Sequence, residues 1–238
     1  MSEEHFVTTE ILFCSGNVGK YEHLLLNTKH IGSIKIIQNC DLDIVEPQLN
    51  TIEEIALFKA QYAYKKFKKP VIVQDSGLII KELNNFPGPY TKYVSQTIGC
   101  KGILKLLEGV NDRSCAFDGC LVFIDESGKS HVFNGPNNIK YWGKIAQTND
   151  VRSILGDFLD LKQESEQYGK TCLSKVASNW SSPNPNENFW TIFVPVDISH
   201  LPGNEKTLAQ LSEDELIIFQ KSRKSCFREF AKWLEEKY

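Results

Sequence analysis

A six-residue segment near the start of the chain has a composition that suits an anion. Ser15-Gly16-Asn17-Val18-Gly19-Lys20 follows a short apolar run and precedes a predicted helix. Glycines let backbone N–H groups approach a phosphate, the helix start is positively polarised, and the lysine adds a full charge. The segment is not a Walker A loop, because Cys14 stands in place of its first glycine and Tyr21 in place of the magnesium-binding serine or threonine. A glycine turn before a helix is more often only a turn.

Two carboxylates follow predicted strands. Asp75 comes after the apolar run Val71-Ile72-Val73, and Glu46 comes after the strand that begins at Ile34. The carboxyl ends of strands in open α/β sheets are where ligands bind, and two carboxylates with phosphate oxygens suit magnesium. The alternative for Asp75 is an Asx turn before Gly77, and for Glu46 a solvated loop acid.

Several cationic and aromatic residues could complete such a site. Lys59 lies on a predicted helix and Lys92 follows a Pro-Gly-Pro turn, so either could neutralise phosphates. Phe189-Trp190 could stack on a base, although an apolar pair is more often part of the core. Arg223 lies in the basic cluster Lys221-Ser222-Arg223-Lys224, which is also typical of a solvated helix surface.

The elements that must position these residues alternate along the chain, which predicts an α/β sheet. A Thr-x-x-Glu pattern at Thr51–Glu54 predicts a helix start, and Glu126-Ser127-Gly128 predicts a hairpin turn. A poorly patterned stretch at about 150–188 is typical of an insertion or lid. The predicted strands are 9–14, 34–38 and 71–73, the hairpin strands are 115–125 and 129–133, an apolar run covers 189–196, a rigid turn covers 86–90, and the helices are 21–26, 51–64, 101–107 and a terminal region at 212–237.

Composition narrows the function classes. Charged residues make up 24% and the net charge is −3, so no global basic field or stripe favours nucleic acid. The acidic start of the chain lacks the pattern of a signal peptide, and no stretch is apolar enough for a membrane span. Seven scattered cysteines without a CxxC pair are typical of a reducing cytosol. We therefore expect a cytoplasmic protein whose partners are small anions, neither nucleic acid nor membrane.

The order of these motifs resembles the inosine triphosphate pyrophosphatase family (the Ham-type pyrophosphatases). Its S/T-x-N-x-x-K is matched by Ser15, Asn17 and Lys20, and its P-G-P-Y-x-K-W/Y is matched at 87–93. The similarity is strong over residues 11–107 and weak beyond. Between these two motifs lie Glu46-Pro47-Gln48 for an acidic residue followed by x-Gln, Glu54-Ile55-Ala56 with Lys59-Ala60 for E-I-A-x-x-K-A, and Gln74-Asp75-Ser76-Gly77-Leu78 for E-D-T/S-G-L.

The resemblance implies an α/β fold with a long mixed β-sheet, flanking helices and two lobes around a central nucleotide cleft. The single domain 1–238 would have a phosphate and metal half at about 8–110 and a base-binding half at about 111–238. The resemblance also implies a magnesium-dependent enzyme, with manganese as an alternative, that converts inosine, deoxyinosine or xanthosine triphosphate to the monophosphate and pyrophosphate. The family commonly dimerises, so a homodimer is expected. In the roles implied, Asp75 is catalytic, Glu46 and Asp75 bind the metal, and Ser15, Gly16, Asn17, Val18, Gly19, Lys20, Lys59, Ser76, Lys92, Phe189, Trp190, Ser222 and Arg223 bind substrate.

The second half departs from the family pattern. Its F-G-W-D-P-I-F aligns with residues 188–193 without the aspartate, and its Ser-His-Arg becomes Lys221-Ser222-Arg223. Gln74 replaces a glutamate, so weaker metal binding or altered activity is expected. Two alternatives follow: a nucleotide-binding or regulatory protein that has lost efficient turnover, and a pyrophosphatase with an altered base preference.

Overall fold

The computed structural model describes residues 9–40, 47–135, 141–146, 189–195, 205–222 and 225–237. Within these ranges, eight strands form one mixed sheet flanked by helices, which confirms the predicted α/β class. The strands are β1 Thr9–Cys14, β2 Ile34–Asn39, β3 Val71–Ile80, β4 Phe86–Pro87, β5 Ser114–Ile124, β6 Ser130–Asn134, β7 Gly143–Ile145 and β8 Phe193–Pro195. The helices are α1 Val18–Thr28, α2 Ile52–Phe67, α3 Thr91–Thr97, α4 Gly99–Leu106, α5 Glu213–Ser222 and α6 Cys226–Lys237.

The strand order is β2-β1-β3-β5-β7-β8, with β4 beside β3 and β6 beside β5. The β1 strand pairs in parallel with both β2 and β3, whereas the pairs of β3 with β4 and of β5 with β6 are antiparallel. The β5–β6 hairpin confirms the sequence prediction. Gly128 in its turn has a φ of 82°, a conformation that glycine adopts without steric cost.

Helix α2 begins as its sequence predicts. The Thr51 hydroxyl accepts from the backbone N–H of Glu54 (3.1 Å), and the Glu54 carboxylate accepts from the backbone N–H of Thr51 (3.0 Å). This capping box satisfies two N–H groups that the first turn of a helix leaves without intrahelical partners. The helix therefore starts at a fixed point, and Lys59 on it takes a defined orientation.

The chain divides into two compact units, and the first comprises residues 1–76, 119–137 and 224–238. Its part of the sheet is covered on both faces. On one face, α2 packs its alanines Ala56, Ala60 and Ala63 against Val71 and Val73 of β3. On the other face, α1 and α6 pack against Ile72 and neighbouring strand residues. Because side chains alternate along a strand, odd-numbered residues at the start of β3 face α2 and even-numbered ones face α6.

The second unit comprises residues 77–118 and 138–223 and has its own apolar core. Arg113, only 7% exposed, lies at the edge of this core. Its guanidinium donates to the backbone carbonyl oxygens of Leu107 (2.8 Å), Ile145 (3.1 Å) and Ala146 (2.8 Å). The backbone N–H of Ala146 in turn donates to the carbonyl oxygen of Ile192 (2.8 Å), continuing the β7–β8 pairing. The buried arginine therefore ties helix α4 to the strand pair.

Three predicted boundaries are wrong. The third strand does not end at Val73 but continues to Ile80, where its last two residues, Ile79 and Ile80, pair with Phe86–Pro87, which the sequence predicts as a turn. Helix α1 begins at Val18 rather than Tyr21, because Asn17 caps it. The terminal helical region is two helices, since α5 ends at Ser222 and α6 begins at Cys226. None of the helices in the described ranges is long and apolar enough to cross a membrane.

Candidate functional site

The segment that links β1 to α1 is a short loop closed by local hydrogen bonds. The Asn17 side chain accepts from the backbone N–H of Lys20 (3.0 Å), and the Ser15 hydroxyl accepts from the backbone N–H of Asn17 (3.1 Å). Gln38 on β2 donates to the carbonyl oxygen of Ser15 (2.9 Å). The loop is therefore shorter than predicted, and Val18, Gly19 and Lys20 form the first turn of α1. Backbone N–H groups of a first helical turn are suited to bind an anion.

The Asp75 carboxylate is held from three sides. Lys59 on α2 donates to its Oδ2 (2.9 Å), the backbone N–H of Ser76 donates to its Oδ1 (2.8 Å), and the Nζ of Lys20 lies 3.9 Å from Oδ1. The three side chains are largely buried, with 21% exposure for Asp75, 13% for Lys59 and 25% for Lys20. The structure thus brings together four of the predicted site residues, Asp75 and Ser76 from β3, Lys59 from α2 and Lys20 from α1.

These contacts decide the ionisation of Asp75. Burial by itself would raise the pKa of the Asp75 carboxyl, but the positive charges of Lys20 and Lys59, with the hydrogen bonds from Lys59 and Ser76, lower its pKa below the usual value. The carboxylate is therefore ionised at neutral pH, as a hydrogen-bond acceptor for water or a ligand for a cation must be.

The position of Asp75 on its strand corrects the sequence prediction, because Asp75 lies inside β3 and not at its end. The parallel neighbour β1 nevertheless ends at Cys14, and its register pairs Leu12 with Val71 and Phe13 with Ile72. Asp75 consequently lies just past the carboxyl end of β1, on the face that carries α2. Asp75 is therefore at the carboxyl end of a parallel strand, as expected, but that strand is the neighbour β1 and not β3.

Downstream of Asp75, the backbone of β3 packs closely against the Pro-Gly-Pro turn. A Cβ atom at Gly77 would lie 2.1 Å from the carbonyl oxygen of Gly88, so only glycine fits. The Thr91 hydroxyl donates to that same carbonyl (2.7 Å) and accepts from the backbone N–H of Leu78 (2.8 Å). Thr91 therefore fixes the start of α3, and Lys92 follows it with an exposed side chain.

The residues predicted to bind the base are described only in part. Phe189 is 2% exposed and belongs to the core of the second unit, whereas Trp190 is half-buried against that core. The backbone of Ser222 closes α5, but its side chain lies outside the described part of the structure, as do Arg223 and Glu46. The predicted insertion at 150–188 also lies outside the described ranges. The nucleotide cleft and the functional halves stay predictions.

The donor atoms at Asp75 suit a hard divalent cation. Over the described ranges, no group of three or more histidine, cysteine, aspartate or glutamate side chains gathers in one place. An ion there would take one carboxylate from the described residues and further oxygen atoms from a bound phosphate. Magnesium binds in this way, with one or two carboxylates and substrate phosphates, whereas zinc prefers nitrogen and sulfur ligands. The residues present therefore fit a divalent cation that shares its ligands with substrate.

Two contributors to the site were missed as site residues from the sequence. The side chain of Gln74 donates to the backbone carbonyl oxygen of Asp75 (2.8 Å), and the backbone carbonyl oxygen of Gln74 accepts from the Nζ of Lys20 (3.2 Å). Thr91 stands at the x position of P-G-P-Y-x-K-W/Y, so the family motif does not mark it as a site residue. The sequence did contain one signal for Gln74. It directly precedes Asp75 on a strand, so its side chain must support Asp75 from the opposite face of the sheet.

Fold and site together define an α/β sheet protein in which a lysine-paired carboxylate lies beside the loop that caps a helix. A family profile described as the Ham1 family matches residues 11–153, and the chain belongs to that family. It is 54% identical over 191 residues to the dITP/XTP pyrophosphatase of Saccharolobus solfataricus, covering 80% of this chain and 77% of the relative. The enzyme of the same description from Methanopyrus kandleri is 42% identical over 138 residues, or 58% of this chain and 70% of the relative. Among solved structures, the HAM1 protein of Coxiella burnetii matches with a TM-score of 0.64 and 21% identity over 96% of this chain and 100% of that one, which supports the fold.

Proposed function

We propose that this protein hydrolyses nucleoside triphosphates that carry non-standard purines, such as inosine, deoxyinosine and xanthosine triphosphate, to the monophosphate and pyrophosphate. The observation that carries the proposal is the ionised Asp75 carboxylate between Lys59 and Lys20, beside the capped first turn of α1. The dITP/XTP pyrophosphatase relatives support the same substrate class.

The first step is capture of the triphosphate. Its oxygens accept from Ser15, from the backbone N–H groups of Val18 and Gly19 in the first turn of α1, and from the Nζ of Lys20 and Lys59. Lys59 and Lys20 already neutralise Asp75, so they are placed to share their charge with a phosphate close to that carboxylate. Lys92, held near the Pro-Gly-Pro turn by Thr91, adds a further positive charge.

The second step is attack of water on the α-phosphorus. Asp75 orients the water and accepts its proton as the new oxygen–phosphorus bond forms. The bond between the α-phosphorus and the oxygen that bridges to the β-phosphorus breaks, and pyrophosphate leaves with that oxygen. Asp75 and Glu46 would hold the divalent cation, which we propose to be magnesium with manganese as a substitute. When bound, the cation supplies positive charge that stabilises the phosphate oxygens and the leaving group.

Base selection is assigned to the second half of the chain. We propose that Trp190, with Phe189 packed behind it, offers an aromatic face to the base, and that Ser222 and Arg223 complete the base site. An arginine donor pairs with the 6-keto oxygen of inosine or xanthosine but not with the 6-amino group of adenosine. Leaving buried donors without acceptors disfavours the wrong base.

The cellular setting and the assembly also belong to the proposal. The six cysteines in the described ranges form no disulfide, which supports a reducing compartment such as the cytoplasm. We propose a homodimer, which light scattering of the purified protein would check. A mass equal to one chain would contradict it.

The test is release of pyrophosphate, with and without magnesium, from inosine, xanthosine, guanosine, adenosine and uridine triphosphates. We expect magnesium-dependent release that favours inosine and xanthosine triphosphate, and a loss of about a thousandfold in the Asp75→Asn variant, since a general base contributes about that much. Asp214→Asn, an exposed aspartate on α5, is the matched control and should keep full activity. Binding of inosine triphosphate without release from any nucleotide would show a nucleotide-binding protein instead of an enzyme.

A further inference from the structure

Gln74 is a buried amide with an unusual set of partners. Its side chain is 8% exposed, and its Nε2 donates to the backbone carbonyl oxygen of the next residue, Asp75 (2.8 Å). Its Oε1 is buried and has no hydrogen-bond partner among the described residues. A buried carbonyl without a donor is costly, so a side chain chosen for stability alone would not carry one here.

The amide reaches Asp75 from the face opposite the carboxylate. Because side chains alternate along a strand, Gln74 lies on the same face of β3 as Ile72, which is the face of α6 and Cys226. The Asp75 side chain lies on the other face, which is the face of α2. Gly119 on β5 leaves the space that the amide occupies. A Cβ atom at Gly119 would lie 3.1 Å from the Nε2 of Gln74 and 3.5 Å from the carbonyl oxygen of Asp75.

The backbone of Gln74 is fixed as well, because its carbonyl oxygen accepts from the Nζ of Lys20 (3.2 Å). Two consecutive carbonyl groups of β3 are therefore held by long side chains. This happens between the residues that pair with β1 (Val71 and Ile72) and those that pair with β4 (Ile79 and Ile80). Asp75 lies in that interval, where β5 is the neighbouring strand on the side of β3 opposite β1. The two side-chain contacts add to this strand pairing and help to fix the backbone from which the carboxylate projects.

We propose that Gln74 is a positioning residue that orients Asp75 for attack of water on the triphosphate. The proposal rests on the proposed function, in which Asp75 carries the chemistry. It also revises the expectation that Gln74 acts through a charge missing beside the metal, since its side chain faces away from the Asp75 carboxylate. In this chain, the property that matters is the N–H donor of the Gln74 amide.

The experiment compares Gln74→Met, which keeps the length of the side chain but has no donor, with Gly119→Ala, which displaces the amide without changing Gln74. Both variants should lower kcat by about tenfold to a hundredfold, because small misplacements of a reacting group cost that much. The KM for inosine triphosphate should change little, since the lysines remain. The melting temperature of Gln74→Met should stay at the wild-type value, since the substitution also removes the unpartnered Oε1. Gln61→Met, at an exposed glutamine on α2, is the control and should match wild type.

Wild-type kcat in both Gln74→Met and Gly119→Ala would overturn the proposal. A loss of kcat in Gln74→Met that comes with a melting temperature clearly below that of wild type would assign Gln74 a structural role and overturn it too.

A second readout keeps the two proposals distinguishable. Mn²⁺ affinity is measured by electron paramagnetic resonance with an inosine triphosphate analogue that has a methylene bridge between its α and β phosphorus atoms. Should wild type release no pyrophosphate, the proposed enzyme function fails, but Gln74→Met should still weaken Mn²⁺ binding if Gln74 orients Asp75. Equal Mn²⁺ affinity in both proteins would overturn the positioning role in that case.

Discussion

Each of the two units contains a largely buried cation, and the two cations have different kinds of partner. In the first unit, Lys59 is 13% exposed at its side chain and pairs with the Asp75 carboxylate. In the second unit, Arg113 is 7% exposed and donates to three backbone carbonyl oxygens. One cation has a charged and exchangeable partner, and the other has neutral partners that belong to the fold.

This difference separates binding from architecture. A carboxylate and a phosphate attract a lysine similarly, so a triphosphate can share Lys59 with Asp75 at low cost. Backbone carbonyls cannot be exchanged without moving the strands that carry them, so Arg113 stabilises one arrangement of α4 and β7. A planar guanidinium with several fixed donors suits that task, whereas a flexible ammonium suits the first. Burial of a cation alone therefore does not mark a functional residue.

The largest expected effect is on stability, when the Arg113 guanidinium is removed. Arg113→Met should lower the free energy of unfolding by about 3 kcal/mol, because three carbonyl oxygens lose their donor. Turnover of inosine triphosphate should remain at the wild-type value at a temperature where the variant is folded. Urea unfolding and pyrophosphate release measure the two quantities. A variant with normal stability and reduced turnover would reverse the assignment of Arg113.

The second effect is on binding. Lys59→Met should raise the KM for inosine triphosphate by about tenfold to a hundredfold, which corresponds to about 1.4 to 2.7 kcal/mol. Its stability should fall less than that of Arg113→Met, since Lys20 and Ser76 still hold Asp75. Steady-state kinetics gives the KM. Lys35→Met, which removes an exposed ion pair with Glu10, is the control, and an equal rise in its KM would mean that any lost lysine weakens binding.

The third effect is on the hairpin turn that follows β5, where Asp125 is the main acceptor. Asp125 accepts from the backbone N–H groups of Ser127 and Lys129 and from the ring of His131 (2.8 Å). Although burial would raise its pKa, these hydrogen bonds lower it well below the usual value. Asp125→Ala should cost about 1 to 2 kcal/mol of unfolding free energy, because the hairpin turn loses its acceptor. Chemical denaturation checks this, and an unchanged midpoint would mean that Gly128 alone sets the turn.

The smallest effect is at Asp112, before β5. Hydrogen bonds from Lys81 and Ser114 lower its pKa from 3.8 to about 2. A lowered carboxyl pKa means that the folded state gains stability above pH 3.8 and loses it as pH falls towards 2. The difference in stability between wild type and Asp112→Asn should therefore shrink over that interval. Because the pair is exposed, salt should reduce the difference further. If the stability difference between wild type and Asp112→Asn grew as the pH fell, the prediction would be wrong.

Local patterns predicted the local structure well. The capping box at Thr51 and the Gly128 turn depend on contacts within a few residues, so the sequence contains their full signal. The cap by Asn17 is equally local, but the glycine that follows it led to a predicted helix start three residues too late. The family resemblance assigned Lys20, Lys59 and Asp75 to one site, and the structure brings the three together, although the direct pairing of the lysines with Asp75 was not predicted.

What could not be predicted depends on contacts between distant segments. The extension of β3 to Ile80 requires Phe86–Pro87 as its partner, and proline is unfavourable in most strands. Arg113 lies in a polar stretch typical of an exposed turn, yet it is buried because β7 and α4 surround it. The amide of Gln74 is directed by the absence of a side chain at Gly119, some 45 residues later in the chain.

The contact between Ala146 and Ile192 has a consequence for the engineering of this chain. Because the backbone N–H of Ala146 donates to the carbonyl oxygen of Ile192 (2.8 Å), these two positions lie side by side, 46 residues apart in the chain. The pairing of β7 with β8 therefore fixes both ends of whatever segment joins them. A designed linker between the two strands would have almost no distance to span, so its length could be chosen freely.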